Sequence, residues 1–214
     1  MYTYKYKDLA LALYEALISD PFYIELLREI SGGEPEKREI LMRYMDYSMT
    51  EGEKYGQLTL AGDPPYGAAI WSRPLEPAID NEKSLTKKDF IKTYMGEPAL
   101  KAYSTIVSFM SEQLDTLLQD AWYLSIAGIK PTRQGQGLGA NLLMKVLNET
   151  DKNGISTYLE TFTPRNIRFY KRMGYKITKE VSEPVTGRPY WIMVREPLRQ
   201  VRHKSLIRGL YERP

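Results

Sequence analysis

The chain of 214 residues has no cysteine and a single histidine. Without cysteine there is no disulfide, no thiolate nucleophile and no Cys-based zinc site. The histidine, His203, stands in a basic C-terminal stretch, which argues against a Ser-His-Asp triad and against a histidine-ligated metal. No apolar run approaches the roughly 20 residues that cross a bilayer. The opening M-Y-T-Y-K-Y-K-D-L-A-L-A-L-Y-E-A-L places Asp8 and Glu15 inside its apolar stretch and lacks a small-residue cleavage site. It reads as an amphipathic helix, and the expected location is cytoplasmic, away from any membrane. Net charge is only +3, so a surface built to bind nucleic acid is not expected. If the chain is an enzyme, it must work with tyrosine, carboxylates, lysine, backbone amides or bound water.

What is present is a soluble balance of 43% hydrophobic and 27% charged residues, enough to fill the core of one domain. Residues 8–30 read as helix broken at S-D-P (19–21), where Ser19 or Asp20 can cap a second helix that starts on Pro21. A Gly-Gly-Glu-Pro break at 32–35 precedes another helix over about 35–48. Strands near 56–61 and 66–72 flank the Asp63-Pro64-Pro65 turn as a hairpin. Residues 74–120 begin as a proline-punctuated loop. They continue as helix, with Leu100, Tyr103, Ile106, Val107, Met110, Leu114 and Leu117 at three-and-four spacing. Glu112 and Asp115 fall mid-helix on its solvated face.

The second half alternates. A-W-Y-L-S-I-A-G-I (121–129) is a strand, a helix runs to about 149 behind a glycine-rich loop, and I-S-T-Y-L-E-T-F (155–162) is another strand. N-I-R-F-Y-K-R-M-G gives a short helix with Gly174 at its C′ position, and strands near 175–181 and 188–195 pair antiparallel. The order predicts an α/β (α+β) fold, a mixed sheet with helices on its faces.

The loop K-P-T-R-Q-G-Q-G-L-G-A-N-L-L (130–143) carries three glycines at every second position and opens a helix. G-x-G-x-G is not the dinucleotide spacing, although Glu160 falls about 20 residues on, and Ala140-Asn141 breaks a P-loop pattern. What remains is a strand, small residues and a helix N-terminus, a shape suited to a pyrophosphate.

Q-G-Q-G-L-G (134–139) resembles the Q/R-x-x-G-x-G/A signature of the GNAT superfamily of N-acetyltransferases. The preceding W-Y-L-S-I-A-G-I-K-P-T-R resembles that family's central strand, and N-I-R-F-Y-K-R-M-G-Y (166–175) its downstream block. Y-L-E-T-F-T-P-R-N-x-x-F-Y is similar to the puromycin N-acetyltransferase-like branch. The resemblance is strong over 120–196 and faint over 1–119. It implies one domain over 1–198, with a variable acceptor-side half (1–119), an acetyl-CoA-binding half (120–196) and a basic tail (199–214). It implies a mixed, mostly antiparallel central sheet and direct transfer from acetyl-CoA, as cosubstrate and without a metal, to a primary amine.

By the same resemblance, Gln134, Gly135, Gln136, Gly137, Leu138 and Gly139 would cradle the pyrophosphate. Ala127, Gly128 and Ile129 would pair with the pantetheine arm as an added strand does. A glycine within a strand fits a close approach there, or a plain bulge. Backbone N–H groups around Gly128 and Ile129 would face the thioester carbonyl oxygen. Tyr170 matches the family's tyrosine acid for the departing thiolate and also contacts the cofactor. Asn166 would hold the arm or cap its helix, and Lys130, Arg133 and Arg165 could reach phosphates. An acceptor ammonium must lose its proton before attack, at a cost of about 3–4 kcal/mol at pH 7. Glu160 is the candidate base, with a structural ion pair as its other reading. Tyr123 and Ser125, on the central strand, could carry the proton through water instead.

Phe22, Tyr23, Tyr44, Tyr47, Trp71, Tyr94 and Tyr103 could line an acceptor pocket or fill the core. A small-molecule amine is the expected acceptor, in a cavity walled by residues 14–50 and 74–118. A protein N-terminus or lysine, in an open groove, is the second expectation. A catalytically idle acyl-CoA-binding sensor is the third, and a homodimer is possible.

Overall fold

In the computed structural model of the protein, which describes residues 2–198, three helices occupy most of residues 7–55. They are α1 (Lys7–Leu17), α2 (Pro21–Leu27) and α3 (Glu34–Tyr55). Asp20 caps α2, its carboxylate accepting the Phe22 N–H at 3.0 Å, and Pro21 takes the first turn, where a missing N–H costs nothing. α3 runs past the expected end at 48 because Leu41, Met45, Met49 and Gly52 continue one buried stripe. At Gly52 a Cβ would stand 2.6 Å from Ile70 Cγ2, so the glycine lets the helix lie close to the sheet.

The hairpin is β1 (Gly56–Ala61) and β2 (Gly67–Ser72). The single helix expected within 74–120 is two helices, α4 (Pro77–Met95) and α5 (Glu97–Gln113). Gly96, at φ +87°, ends the first, and Pro98 in the opening turn of the second cannot continue an earlier ladder. Asp115 is not mid-helix: it accepts the Leu117 N–H at 2.9 Å and caps a 3₁₀ turn, Thr116–Leu118. Then follow β3 (Trp122–Ile129), α6 (Leu138–Asn153), β4 (Thr157–Thr161), α7 (Pro164–Arg172), β5 (Lys176–Glu183) and β6 (Arg188–Arg195). Gly174, at φ +93°, lies just past the α7 cap residue Met173, as the sequence predicts. The basic tail, with His203, lies outside the described residues.

The strands form one six-stranded sheet in the order β1-β2-β3-β4-β6-β5, antiparallel throughout except for the β3–β4 pair. It is the mixed, mostly antiparallel sheet that was expected. Alternate residues of β2 feed opposite faces, and an extra residue at Ser125 puts Leu124 and Ile126 of β3 on opposite faces too. Ala68, Ile70 and Ile126 pack with α1 and α3, whereas Ala69, Trp71 and Leu124 pack with α6. A third cluster joins Ile106 of α5 to Phe162, Tyr190 and Ile192.

One break in the sheet positions the site. The parallel pair holds only from Trp122 opposite Thr157 to Leu124 opposite Leu159, yet β3 continues to Ile129 and β4 to Thr161. Ile70 pairs with Ile126 and Trp71 with Leu124, so Ser125 is an extra residue on β3. Its hydroxyl donates to the Ile70 carbonyl at 3.1 Å. A bulge of this kind bends the strand and increases its twist. Beyond Leu124, β3 keeps β2 on one edge and has no strand on the other.

Candidate active site

The unpaired edge of β3 borders a cavity of about 820 Å³ beneath α2, α3, α4 and α5. Ser125, Ile126 and Ala127 of β3, Glu160 of β4, and Asn166 and Tyr170 of α7 all line it. Along an antiparallel ladder, alternate residues turn their N–H and C=O groups away from the partner strand. The free edge of Ser125–Ile129 therefore offers a strand-like row of donors and acceptors.

At Gly128 a Cβ would stand 2.7 Å from Leu13 Cδ2 and 3.3 Å from Ala16 Cβ, so the glycine makes room for α1. The bulge lies at Ser125, not at the glycine.

The glycine-rich loop joins β3 to α6. Gly135 and Gly137 adopt φ +77° and +76°, a left-handed conformation that favours glycine, and a Cβ at either would meet nothing within 4 Å. Among the described residues, the N–H groups of 135–139 form no hydrogen bond with the chain. Five successive free donors at the start of α6, backed by its dipole, suit an anion. Gln134 turns back on the loop, donating to the Ile129 carbonyl at 2.8 Å, and Gln136 reaches the Thr132 carbonyl at 3.4 Å. Leu138 packs into the α6 core. At Gly139 a Cβ would stand 3.3 Å from Phe169 Cζ, so the glycine gives that ring room. A pyrophosphate group thus fits the backbone of this loop better than its side chains. An extended arm fits the free edge of β3.

Glu160 faces aromatic hydroxyls. Burial pushes its carboxyl up to about 7, against hydrogen bonds from Tyr190 and Tyr123 that lower it. It forms no ion pair among the described residues, so the ion-pair reading is not supported. Tyr123 stacks on Tyr158, ring centroids 4.8 Å apart. Ser125 commits its hydroxyl proton to Ile70 and is a poor relay. Tyr170 packs edge-on against Phe169 and Tyr175, and burial pushes its hydroxyl well above the usual phenol range. Asn166 occupies the third position of α7, not its cap, which is Thr163.

Of the seven aromatics named from the sequence, Phe22, Tyr23, Tyr44 and Tyr103 line the cavity. Trp71 is fully buried against α6, and Tyr94 packs with Tyr2 and Phe90. Tyr47 stacks on Phe90 at 4.2 Å. Several polar contacts in and beside the cavity carry no sequence signature. Asp20 accepts from the Thr163 hydroxyl at 3.1 Å, linking α2 to the turn before α7. Glu51 of α3 and Lys87 of α4 form a buried ion pair at 3.2 Å. Tyr190 reaches Glu160 from β6. Each depends on a long-range contact, 36 residues apart for Glu51 and Lys87, that no local motif reports.

A bent central strand with a free edge, a donor-rich loop opening a helix, and a parallel neighbour that parts from it define an acyl-CoA-dependent transferase fold. Residues 103–177 match the acetyltransferase (GNAT) domain family. An uncharacterized N-acetyltransferase of Schizosaccharomyces pombe is 22% identical over 90% of this chain and 80% of its own length. A peptidyl-lysine N-acetyltransferase, YjaB, of Salmonella typhimurium is 26% identical over 57% of this chain and 83% of its own. A Corynebacterium glutamicum structure, described as histone acetyltransferase HPA2 and related acetyltransferase, superposes with TM-score 0.63 at 19% identity, covering 90% of this chain and 91% of that one. Residues 103–177 thus carry a GNAT acetyltransferase domain, which makes the protein an acetyl-CoA-dependent acetyltransferase. No helix among the described residues is long and apolar enough to cross a membrane.

Proposed function

We propose that the protein transfers an acetyl group from acetyl-CoA to a primary amine of a small molecule. The observation that carries the reading is the cavity of about 820 Å³, within the range of small-ligand sites, walled by α2–α5. Both halves of the chain contribute to it, and Glu160 and Tyr170 share it. The motif Y-L-E-T-F-T-P-R-N, which contains Glu160, adds the likeness to the puromycin N-acetyltransferase-like branch.

When bound, acetyl-CoA supplies an activated acyl group and a good leaving thiolate. In this reading the N–H groups of Gly135–Gly139 hold its pyrophosphate, and Ala127, Gly128 and Ile129 hold its arm along the free edge of β3. Asn166, on the cavity wall beside Tyr170, orients the same arm. Glu160 takes the proton of the acceptor ammonium. A base near pH 7 is half ionised at neutrality, which suits it to both accept and release that proton. Tyr190 and Tyr123 fix the carboxylate through their hydroxyls. Tyr170, kept protonated by burial, gives its proton to the departing sulfur as the C–S bond breaks, and regains one from the newly acylated nitrogen, which must shed its second proton to become an amide.

A second reading, acetylation of a protein lysine, is favoured by the name of the Salmonella relative. The two separate in one experiment: acetyl-CoA with a panel of small amines and lysine peptides, following free thiol. Small amines are expected to release thiol far faster than peptides. Tyr170→Phe is expected to lower that rate about 10²–10⁴-fold, the usual worth of a positioned acid. Faster turnover of peptides favours the second reading. Tight CoA binding without turnover of either would identify an idle binding module.

A further inference from the structure

The end of the cavity formed by α3 and α4 holds an incomplete hydrogen-bond site. The Lys87 ammonium donates to Glu51 Oε2 at 3.2 Å and to the Ser48 hydroxyl at 3.0 Å. It lies 4.7 Å and 4.9 Å from the ring centroids of Tyr44 and Tyr47, so it is held on all sides. The side chains of Lys87 and Glu51 are 8% and 14% exposed. Glu51 Oε1 is nevertheless buried with no hydrogen-bond partner. Buried carboxylate oxygens are rarely left this way, because an unmatched acceptor forfeits its hydration.

A purely structural pair would use the hydroxyls around it. Burial, and then the Glu51 charge, push the Tyr44 and Tyr47 hydroxyls up, so both are protonated and able to donate. The Tyr47 hydroxyl lies against the Glu51 carboxylate, which adds to its upward shift, yet neither tyrosine reaches Oε1 within hydrogen-bonding geometry. Ser48, Glu51, Lys87, Tyr44 and Tyr103 all line the cavity. The Glu51 side chain thus borders the cavity, and a small rotation of its buried carboxylate would turn Oε1 toward the far end of an acceptor.

The charge balance says what kind of group fits. Lys87 already matches the charge of Glu51, so a second ammonium would bring two cations together where water cannot screen them. A neutral donor adds the missing hydrogen bond and no charge. We propose that Glu51, held by Lys87, selects acceptor amines that carry a hydroxyl at the end remote from the reacting nitrogen, Oε1 accepting from that hydroxyl. The inference rests on the reading of the cavity as a site for a small-molecule amine.

The test uses the full chain, acetyl-CoA and thiol release, with acceptors matched in all but one group: tyramine against phenethylamine, and 5-aminopentan-1-ol against pentylamine. In the wild type the hydroxylated member is expected to have the higher kcat/KM, by about 10- to 100-fold, as for a hydrogen bond to a charged acceptor. Glu51→Met with Lys87→Met removes the pair without stranding a charge, and the ratio should fall to about one. Lys87→Gln leaves Glu51 unmatched and should raise 1,5-diaminopentane above 5-aminopentan-1-ol, an exchange of preference that lost packing would not produce.

A wild-type ratio near one, or a ratio that survives the double substitution while thiol is still released, overturns the inference alone. If the double variant does not fold, the Lys87→Gln comparison decides, and an unchanged ranking of the diamine overturns it. Failure of the wild type to release thiol with any of the four matched amines overturns the small-molecule reading and this inference with it.

Discussion

Glu160 is a carboxyl with the hydroxyls of Tyr190 and Tyr123 for neighbours, and that environment fixes a pH dependence. Burial raises it from an ordinary 4.5 to about 7, while Tyr190 and Tyr123 oppose the shift by hydrogen-bonding the charged form. Between those two values the folded chain binds more protons than the unfolded chain. Stability therefore falls as pH rises from 4.5 to 7, by about 3 kcal/mol at most, and is level above. Activity runs the other way, because only the ionised carboxylate accepts a proton. With small amines, kcat/KM is expected to rise through pH 7 and to fall near the amine's own pKa, about 9–10, where the ammonium that gives Glu160 its proton is lost. Glu160→Gln should erase the lower rise and the stability slope together, and leave a single rise near the amine's pKa, because only the free amine then reacts. A lower rise that persists in Glu160→Gln would assign the proton to another group.

At the scale of elements, the loop between β3 and α6 shows what local sequence can convey. The glycines at 135 and 137 were legible as a phosphate-shaped turn because their left-handed φ and the start of α6 are both local properties. Gly137→Ala puts a Cβ into open space, so the fold should tolerate it, with about 1 kcal/mol lost to the left-handed backbone. CoA affinity, followed by titration, should drop tenfold or more, because the methyl stands where the anion approaches. Unchanged affinity would place the pyrophosphate elsewhere.

Gly128 carries a contact that local sequence does not report, since its small size makes room for Leu13 and Ala16 of a helix more than 100 positions earlier in the chain. The same reasoning ran α4 and α5 together. The apolar spacing on either side of Gly96 is helical, and only the glycine's positive φ and the following proline separate the two. Strand boundaries, the hairpin and the α2 cap were legible for the same reason as the loop. Glu51, Lys87 and Tyr190 were not, since their roles arise only once α3 and α4 wall the cavity and β6 pairs with β4.

At the scale of the whole molecule, the cavity exists because two dissimilar halves meet over a gap in one sheet. The acceptor half supplies a helical roof, the other half supplies the divergent strands, and Asp20 joins them. One carboxylate oxygen caps α2 through the Phe22 N–H, and the other accepts from Thr163 at the turn between β4 and α7. Burial raises the Asp20 carboxyl, with the Phe22 and Thr163 hydrogen bonds and the nearby Arg165 opposing it. Asp20→Ala should cost about 0.5–2 kcal/mol as a lost cap, read by urea unfolding. It should also loosen the roof against α7. KM for the acceptor should then rise several-fold, while KM for acetyl-CoA, held by the loop and the β3 edge, stays within about twofold. Asp20→Asn keeps an acceptor for Phe22 and an amide for Thr163, and should restore both values, since the link needs the hydrogen bonds and not the charge. If Asp20→Asn behaves like Asp20→Ala, the ionised carboxylate itself is required, and Asp20 acts on the acceptor directly instead of holding the halves together.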